Sequence, residues 1–311
     1  MIMAGKCSVT RRAGISQHMN REYEIGMLWV EGPLSYVEVL CAQSFLDAGH
    51  HVKLYHYGDI KNVPEGVELI SGETVLSSDR FVTHGRTGSF ALFSDVFRYH
   101  LLQQNDRMIW ADLDAYCVKT FKSDTGHFYA WESESHIAGG VLGLPSDSDA
   151  LGQLIEMTED EYGIPEWFTP KVRKHFEELR DAGTPAHAGD LPWGVWGPHA
   201  ISHYLKKTGE AKYALPTNSL YPISFKNRRF LMRGKWARKV RRSITDDTYS
   251  VHFYGRRVRQ FLSTIGGVPE PGSYMEKLLE KHNIDTAAAP IFTREEREAE
   301  KAAQQANASE A

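Results

Sequence analysis

The sequence predicts an α/β fold in which a mixed central sheet is flanked by helices within a single catalytic domain, and three observations carry that expectation. A short apolar run at 24–30 is followed by helical spacing over 33–48 and by a second apolar run at 52–57, the order of a right-handed βαβ unit. A second long helical stretch, 90–104, leads into the apolar run 108–112. That run delivers Asp112-Leu113-Asp114, two carboxylates at i and i+2, and ligands in open α/β sheets gather at the carboxyl ends of strands. The sheet is therefore expected to be Rossmann-like.

Each element has its own signal. The first strand is marked by Ile25, Met27, Leu28, Trp29 and Val30, and the first helix by Leu34, Val37, Leu40, Cys41, Phe45 and Leu46, with Gly49 placed to end it. For the helix at 90–104, Ser89 is the expected N-cap and Asn105 the expected left-handed terminator. Further on, 136–144 (HIAGGVLGL) reads as a strand with a glycine break, 150–161 and 170–182 as helices, and 183–197 as a Gly/Pro/Trp loop. A short helix at 198–206 begins near Pro198, and 248–254 reads as a late strand. Neither internal repeats nor a linker divide the chain. The expected organisation is a tail at 1–22, a domain at 23–270, and a C-terminal helix and disordered tail at 271–311, charged and Ala/Gln-rich from 293.

Composition narrows the function classes. The 311 residues are 41% hydrophobic with a formal charge of −4, which argues against a globally basic nucleic-acid binder. Cys7, Cys41 and Cys117 are odd in number and lack CxxC spacing, arguing against a disulfide framework or zinc site and for a reducing compartment. No stretch approaches 18 uninterrupted apolar residues, and the basic start around Arg11 and Arg12 has no apolar region behind it. The expected location is cytoplasmic. The run 226–242 holds nine Lys/Arg and no acid, interleaved with Phe230, Leu231, Met232, Trp236 and Val240. That pattern suits an interfacial helix on anionic lipid, hence peripheral attachment to the inner face of the cell membrane and a lipid-linked acceptor. No nucleic-acid module accompanies it.

In an extended strand, side chains two apart share a face, so Asp112 and Asp114 are expected side by side. They repel unless a cation sits between them, and oxygen ligands suit Mn²⁺ or Mg²⁺. In Ser94-Asp95-Val96-Phe97-Arg98-Tyr99, Asp95 and Arg98 share a helix face, with Phe93, Val96, Phe97, Leu101 and Leu102 around them. A fully solvated ion pair is therefore not expected there. Alternation places Ser250, His252 and Tyr254 on the more polar face of the late strand. Asp190, Trp193 and Trp196 lie in the Gly/Pro-rich loop, where aromatic residues suit a sugar acceptor or a lid. Glu132 and Glu134 follow the D-x-D strand, where a carboxylate for covalent catalysis would be sought.

The block S-D-x-x-R-Y-x-x-L, apolar run, x-D-x-D resembles the sugar-nucleotide-binding segment of the DXD-motif glycosyltransferases. These retaining enzymes include bacterial capsule and lipopolysaccharide transferases, fungal mannosyltransferases, α1,4-galactosyltransferases and the glucosylating clostridial toxins. Leu28-Trp29-Val30-Glu31-Gly32, Gly139-Gly140-Val141-Leu142, Gly197-Pro198 and Val251-His252 are further landmarks, so the resemblance spans roughly 23–260. It implies the GT-A architecture, a UDP- or GDP-hexose donor, and a glycan or lipid-linked acceptor. The catalytic set it implies is Asp95, Arg98, Asp112 and Asp114. Leu28, Trp29, Val30, Tyr99 and Leu113 would join Asp95, Arg98 and Asp112 against the donor. Asp114 would be the principal metal ligand, Asp112 would contact the metal, the ribose or both, and His252 would be a third ligand, a diphosphate donor or an ordinary hydrogen-bonded strand histidine. Two departures stand out: Asn105-Asp106 replaces the usual Gly-Gly, and Gly140 stands where many relatives have Asn. Two other readings remain at this point: a haloacid-dehalogenase-like phosphatase, with Asp246-Asp247 as its second acidic pair, and a non-catalytic sugar-nucleotide- or lipid-binding protein.

Overall fold

The computed structural model describes residues 23–293 together with 295, 296, 298 and 299; the tail expected at 1–22 and most of that at 293–311 lie outside the described residues. A five-stranded sheet forms the centre. Its strands are β1 (Glu24–Leu28), β2 (Val52–His56), β3 (Glu68–Ser71), β4 (Met108–Ala111) and, after an interval, β6 (Val141–Leu142). They lie in the order β3-β2-β1-β4-β6, parallel except for β6. Between β4 and β6 in sequence, β5 (Ala115–Cys117) leaves this sheet and pairs antiparallel with β7 (Ser250–His252), Ala115 opposite His252. The fold is thus mixed α/β, with a central, mostly parallel sheet flanked by helices.

Helix α1 (Tyr36–Asp47) opens with a capping box, in which Ser35 and Glu38 satisfy each other's backbone donors. It ends as expected at Gly49, whose φ of 87° only glycine adopts freely. The Gly49 and His50 amides donate to the carbonyls of Leu46 and Phe45, a Schellman closure. Helix α2 (Ala91–Gln103) covers the opposite face of the sheet. Ile25, Met27, Val52 and Leu54 face α1's Phe45, whereas Tyr55, Met108 and Trp110 pack with Phe93, Phe97 and Leu101 of α2. Helices α3 (Asp149–Thr158), α4 (Pro170–Asp181) and α5 (Ala200–Lys207) follow. Then come α6 (Ala237–Ser243), α7 (Gly255–Leu262) and α8 (Tyr274–Lys281).

Several expectations need correction. The strands at 24–30 and 108–112 stop at Leu28 and Ala111. The segment 136–144 pairs regularly only at Val141–Leu142, because Gly139 and Gly140 are pressed against side chains rather than a neighbouring strand. The N-cap of α2 is Phe90, with the Ser89 hydroxyl accepting from the Ala91 amide at 3.3 Å. Asn105 is not left-handed; its side-chain amide instead donates to the Leu101 carbonyl at 2.8 Å, satisfying a helix-end acceptor. The basic run is no continuous amphipathic helix: two 3₁₀ segments, Phe225–Met232 and Gly234–Trp236, precede α6. Leu231, Met232 and Val240 are fully buried in the core beside Val258, Leu262 and Met275, so the apolar side of that run already has its partner within the protein. No helix among the described residues is long and apolar enough to cross a membrane.

Leu101 is fully buried and lies where a side chain on Gly26 of β1 would have to go, so it is the direct contact between α2 and the sheet. Leu101→Ala is expected to lower unfolding free energy by about 2–5 kcal/mol, measured from urea denaturation midpoints at unchanged m-value.

Candidate metal and donor site

The strand order places a topological switch point between β1 and β4: the chain runs outward from β1 to β2 and β3, then returns through α2 to β4 on β1's other side. Nucleotides bind such sheets at this crevice, outside the carboxyl ends of the strands. Continuing the β1–β4 register brings Leu28 level with Asp112, so the first strand's end and the D-x-D sit together.

Asp112 and Asp114 do converge, by a different route from the one expected. They occupy a tight turn, closed by the Ala115 amide on the Asp112 carbonyl at 2.9 Å, and the Asp112 amide is held by the Gly140 carbonyl at 2.7 Å. The strand cannot continue because β5 pairs with β7 in a separate sheet. That pairing also delivers the histidine. The Phe253 amide donates to the Asp114 carbonyl at 2.7 Å, and His252 Nδ1 lies 3.4 Å from Asp114 Oδ1.

Ligand atoms of Asp112, Asp114 and His252 lie within 4.8 Å of one another, the one such group among the described residues. Asp114 Oδ1 and His252 Nδ1 are buried and lack hydrogen-bond partners, an arrangement that ordinarily costs stability unless something binds both. Asp114's other oxygen accepts from the Gly255 amide at 2.6 Å, at the start of α7. Two carboxylates, one imidazole and two orphaned lone pairs fit a divalent cation, and the imidazole favours Mn²⁺ over Mg²⁺. The departure at Gly140 has a steric reason: a Cβ there would lie 2.8 Å from the His252 ring.

Behind this cluster Asp95 and Arg98 are both buried, at 7% and 6% exposure. Arg98 Nη2 lies 3.2 Å from Asp95 Oδ1 and 3.4 Å from Asp112 Oδ1. Its Nη1 donates to the Gly139 carbonyl at 2.6 Å, its Nε to the Ser94 carbonyl at 3.2 Å, and its guanidinium lies over the Trp110 ring. Trp110 Nε1 donates in turn to Asp112 Oδ1 at 2.8 Å. Arg98 is therefore a bridge that orients Asp112. Burial pushes the Asp95 carboxyl up to about 7, against the pull of Arg98 and reinforced by Asp112. Burial also raises Asp112, with Arg98 opposing and Asp114 adding to the rise.

The remaining candidates divide. Trp29 is half-buried beside the site, its indole nitrogen without a hydrogen-bond partner, and Val30 follows it. Burial raises the pKa of the Tyr254 hydroxyl, and Glu132 lies close enough to add to the rise; that hydroxyl donates to the Ile223 carbonyl at 3.2 Å, and its ring is 4.7 Å from that of His252. Asp190 and Trp193 are exposed. Three others are buried. Tyr99 is fully buried with its hydroxyl on the Trp196 carbonyl, Trp196 is itself core at 2% exposure, and the Leu113 side chain packs into the apolar interior. Helical spacing alone does not separate a core tyrosine from a ligand-facing one, and Trp196 is drawn inward by the kink at Gly197. Asp246 and Asp247 are exposed and do not join the acidic cluster. Sequence reasoning missed Gly255, whose amide holds Asp114, and an ion pair between Glu38 and Arg259 at the rim. Both depend on a contact between the two ends of the domain that no local pattern signals.

No family model matches the chain, and no curated protein matches it. Among solved structures it is similar to PaToxG glycosyltransferase, with a TM-score of 0.38 and 10% identity over 77% of this chain and 84% of that one. It is also similar to mouse xyloside xylosyltransferase 1 in its apo form, with a TM-score of 0.28 and 10% identity over 63% of this chain and 84% of that one. Likenesses at this level carry no weight for activity.

Asp95 titrates higher in the folded chain than its ordinary 3.8, so the folded state holds the proton more tightly than the unfolded state. Its contribution to stability is full below about pH 4 and is lost as pH rises towards 7. In metal-free protein, the stability difference between wild type and Asp95→Asn should therefore change steadily across that window, read from denaturant midpoints at each pH. Parallel profiles would contradict the assignment.

Proposed function

We propose that the chain is a metal-dependent, retaining glycosyltransferase of GT-A architecture that moves a hexose from a UDP- or GDP-sugar to a glycan or lipid-linked acceptor. The observation that carries the reading is the convergence of Asp112, Asp114 and His252 at the switch point, with two buried ligand atoms left unpaired. Retention rests on the sequence resemblance alone.

In such a transfer the bond between the anomeric carbon and a diphosphate oxygen breaks. Negative charge builds on the diphosphate while the sugar becomes oxocarbenium-like. Asp112, Asp114 and His252 would hold Mn²⁺ or Mg²⁺, which when bound supplies charge neutralisation at the leaving group. Arg98 fixes the Asp112 carboxylate through a buried guanidinium, so little reorganisation is needed when charge develops. Trp29 offers a half-buried ring against which a nucleobase can lie, with Leu28 and Val30 on either side of it in sequence. Tyr254 packs edge-on against His252 with Glu132 close by, and Trp193 with Asp190 presents an exposed aromatic and a carboxylate to an acceptor sugar. The phosphatase reading has no support in the placement of Asp246 and Asp247.

The basic segment still bears on the acceptor, although not as a helix. Residues 226–263 hold twelve Lys/Arg and two acids, while the rest of the chain holds 24 Lys/Arg and 38 acids. This face touches the site through Tyr254, whose ring packs on the exposed Phe225, itself under Arg228. An anionic membrane at the cytoplasmic side, carrying a lipid-linked acceptor, suits it.

Incubation with a panel of nucleotide-sugars and Mn²⁺, with released nucleotide measured, should show turnover that chelation abolishes and that Asp114→Asn lowers by on the order of 10²-fold or more. Turnover indifferent to both would refute the reading. Cosedimentation should show binding to vesicles rich in anionic phospholipid but not to neutral ones, weakening as salt rises; equal binding to both would remove the membrane from the proposal.

A further inference from the structure

We propose that Arg259 is a catalytic residue that grips the diphosphate of the leaving nucleotide, and that Glu38 is the residue that positions it. This rests on the glycosyltransferase reading and adds to it a cation contributed by α7 and an anchor contributed by α1.

The geometry is unusual for a structural ion pair. Glu38 is 1% exposed and already accepts from the Ser35 amide at 2.9 Å, which closes the first turn of α1. Its other carboxylate oxygen takes Arg259 Nη1. A buried carboxylate needs such a partner, because leaving it unpaired costs several kcal/mol. Arg259, however, keeps 32% of its side chain exposed, and among the described residues its remaining N–H groups donate to no protein acceptor. The pair therefore has a buried end at the carboxylate and an open end where guanidinium N–H groups are exposed.

The guanidinium lies beside the site, with its Glu38-bound Nη1 on the side of Gly255. Arg259 lies one turn along α7 from Gly255, and helical side chains lean back towards the N-terminus. A Cβ placed on Gly255 would be 3.1 Å from Arg259 Nη1 and 3.1 Å from Asp114 Oδ2, so guanidinium and metal-binding carboxylate flank one point. Arg259 makes no ion pair with Asp114, whose Oδ2 accepts from the Gly255 amide. Its guanidinium lies 5.6 Å from the centre of the Trp29 ring. A nucleotide with its base against Trp29 and its diphosphate at Asp114 would run alongside Arg259. A guanidinium presents forked donors that match phosphate oxygens, and donors aimed where charge builds on the departing diphosphate lower the barrier for its release.

Calorimetric titration with UDP, GDP and the matching monophosphates, in Mn²⁺, tests the assignment without turnover. Wild type should prefer the diphosphate. Arg259→Ala should weaken diphosphate binding at least tenfold while monophosphate binding changes little, and Arg259→Lys should restore part of the loss. Glu38→Gln, checked for retained folding by its thermal midpoint, should reproduce a fraction of the Arg259→Ala effect, and in steady state both should raise KM and lower kcat. If Arg259→Ala binds the diphosphate as tightly as wild type, the assignment of Arg259 is wrong while the glycosyltransferase reading stands. If wild type binds neither diphosphate, both fall together.

Discussion

The site depends on one buried guanidinium. Arg98 reaches Asp95 and Asp112 with the same nitrogen, and its other N–H groups are taken by the Gly139 carbonyl and the Ser94 backbone. Charges taken out of water are costly unless paired and hydrogen-bonded, and here one cation serves two carboxylates. Burial settles the imbalance by pushing Asp95 towards its neutral form. The remaining electrostatic attraction falls on Asp112, which stands at the mouth of the cluster. A carboxylate that would otherwise rotate freely at a strand end is thus fixed before any ligand arrives.

Fitting so many polar side chains at one sheet edge requires backbone with no side chains of its own. Cβ atoms at Gly139 and Gly197 would lie 2.6 Å from Arg98 Nη1 and 2.8 Å from Asp95 Oδ2. Gly140 makes the same allowance for the His252 ring. These glycines are needed for close approach rather than for turning the chain: none of the three has a positive φ. Their spacing in the sequence therefore records the shape of the charged cluster.

The parts legible from sequence are those set by local periodicity and local chemistry. The order strand, helix, strand, helix, strand was readable because each element carries a strong apolar period, and the glycine stop at 49 because its φ admits little else. Asp95 with Arg98 was readable as a pair because its spacing fits one helix face, whereas Asp112 and Asp114, expected on one strand face, converge through a turn instead. What defeated pattern reading was competition for partners. β4 ends early because β5 is claimed by β7, and the apolar residues of the basic run are claimed by the core beside α7 and α8. The burial of Tyr99 was not legible, because a tyrosine next to an arginine on a helix is equally consistent with either face. The Glu38–Arg259 pair joins positions 221 residues apart, and nothing in either segment announces the other.

That long-range pairing bears on how the domain holds together. Asp114 takes the amide of Gly255 on its side chain and that of Phe253 on its carbonyl, so the D-x-D turn is stitched directly to the late strand and α7. Glu38 fastens the same helix to α1. An ion shared between Asp112, Asp114 and His252 would add a third tie across this seam, between residues contributed by the first half of the chain and by the last quarter. Binding confined to the folded state stabilises it by mass action. Were a ligand to bind the Asp114 and His252 atoms that lack hydrogen-bond partners, its binding and the closure of the C-terminal segment on the sheet would be coupled. In this architecture the cleft is assembled by the same contacts that would hold its occupant.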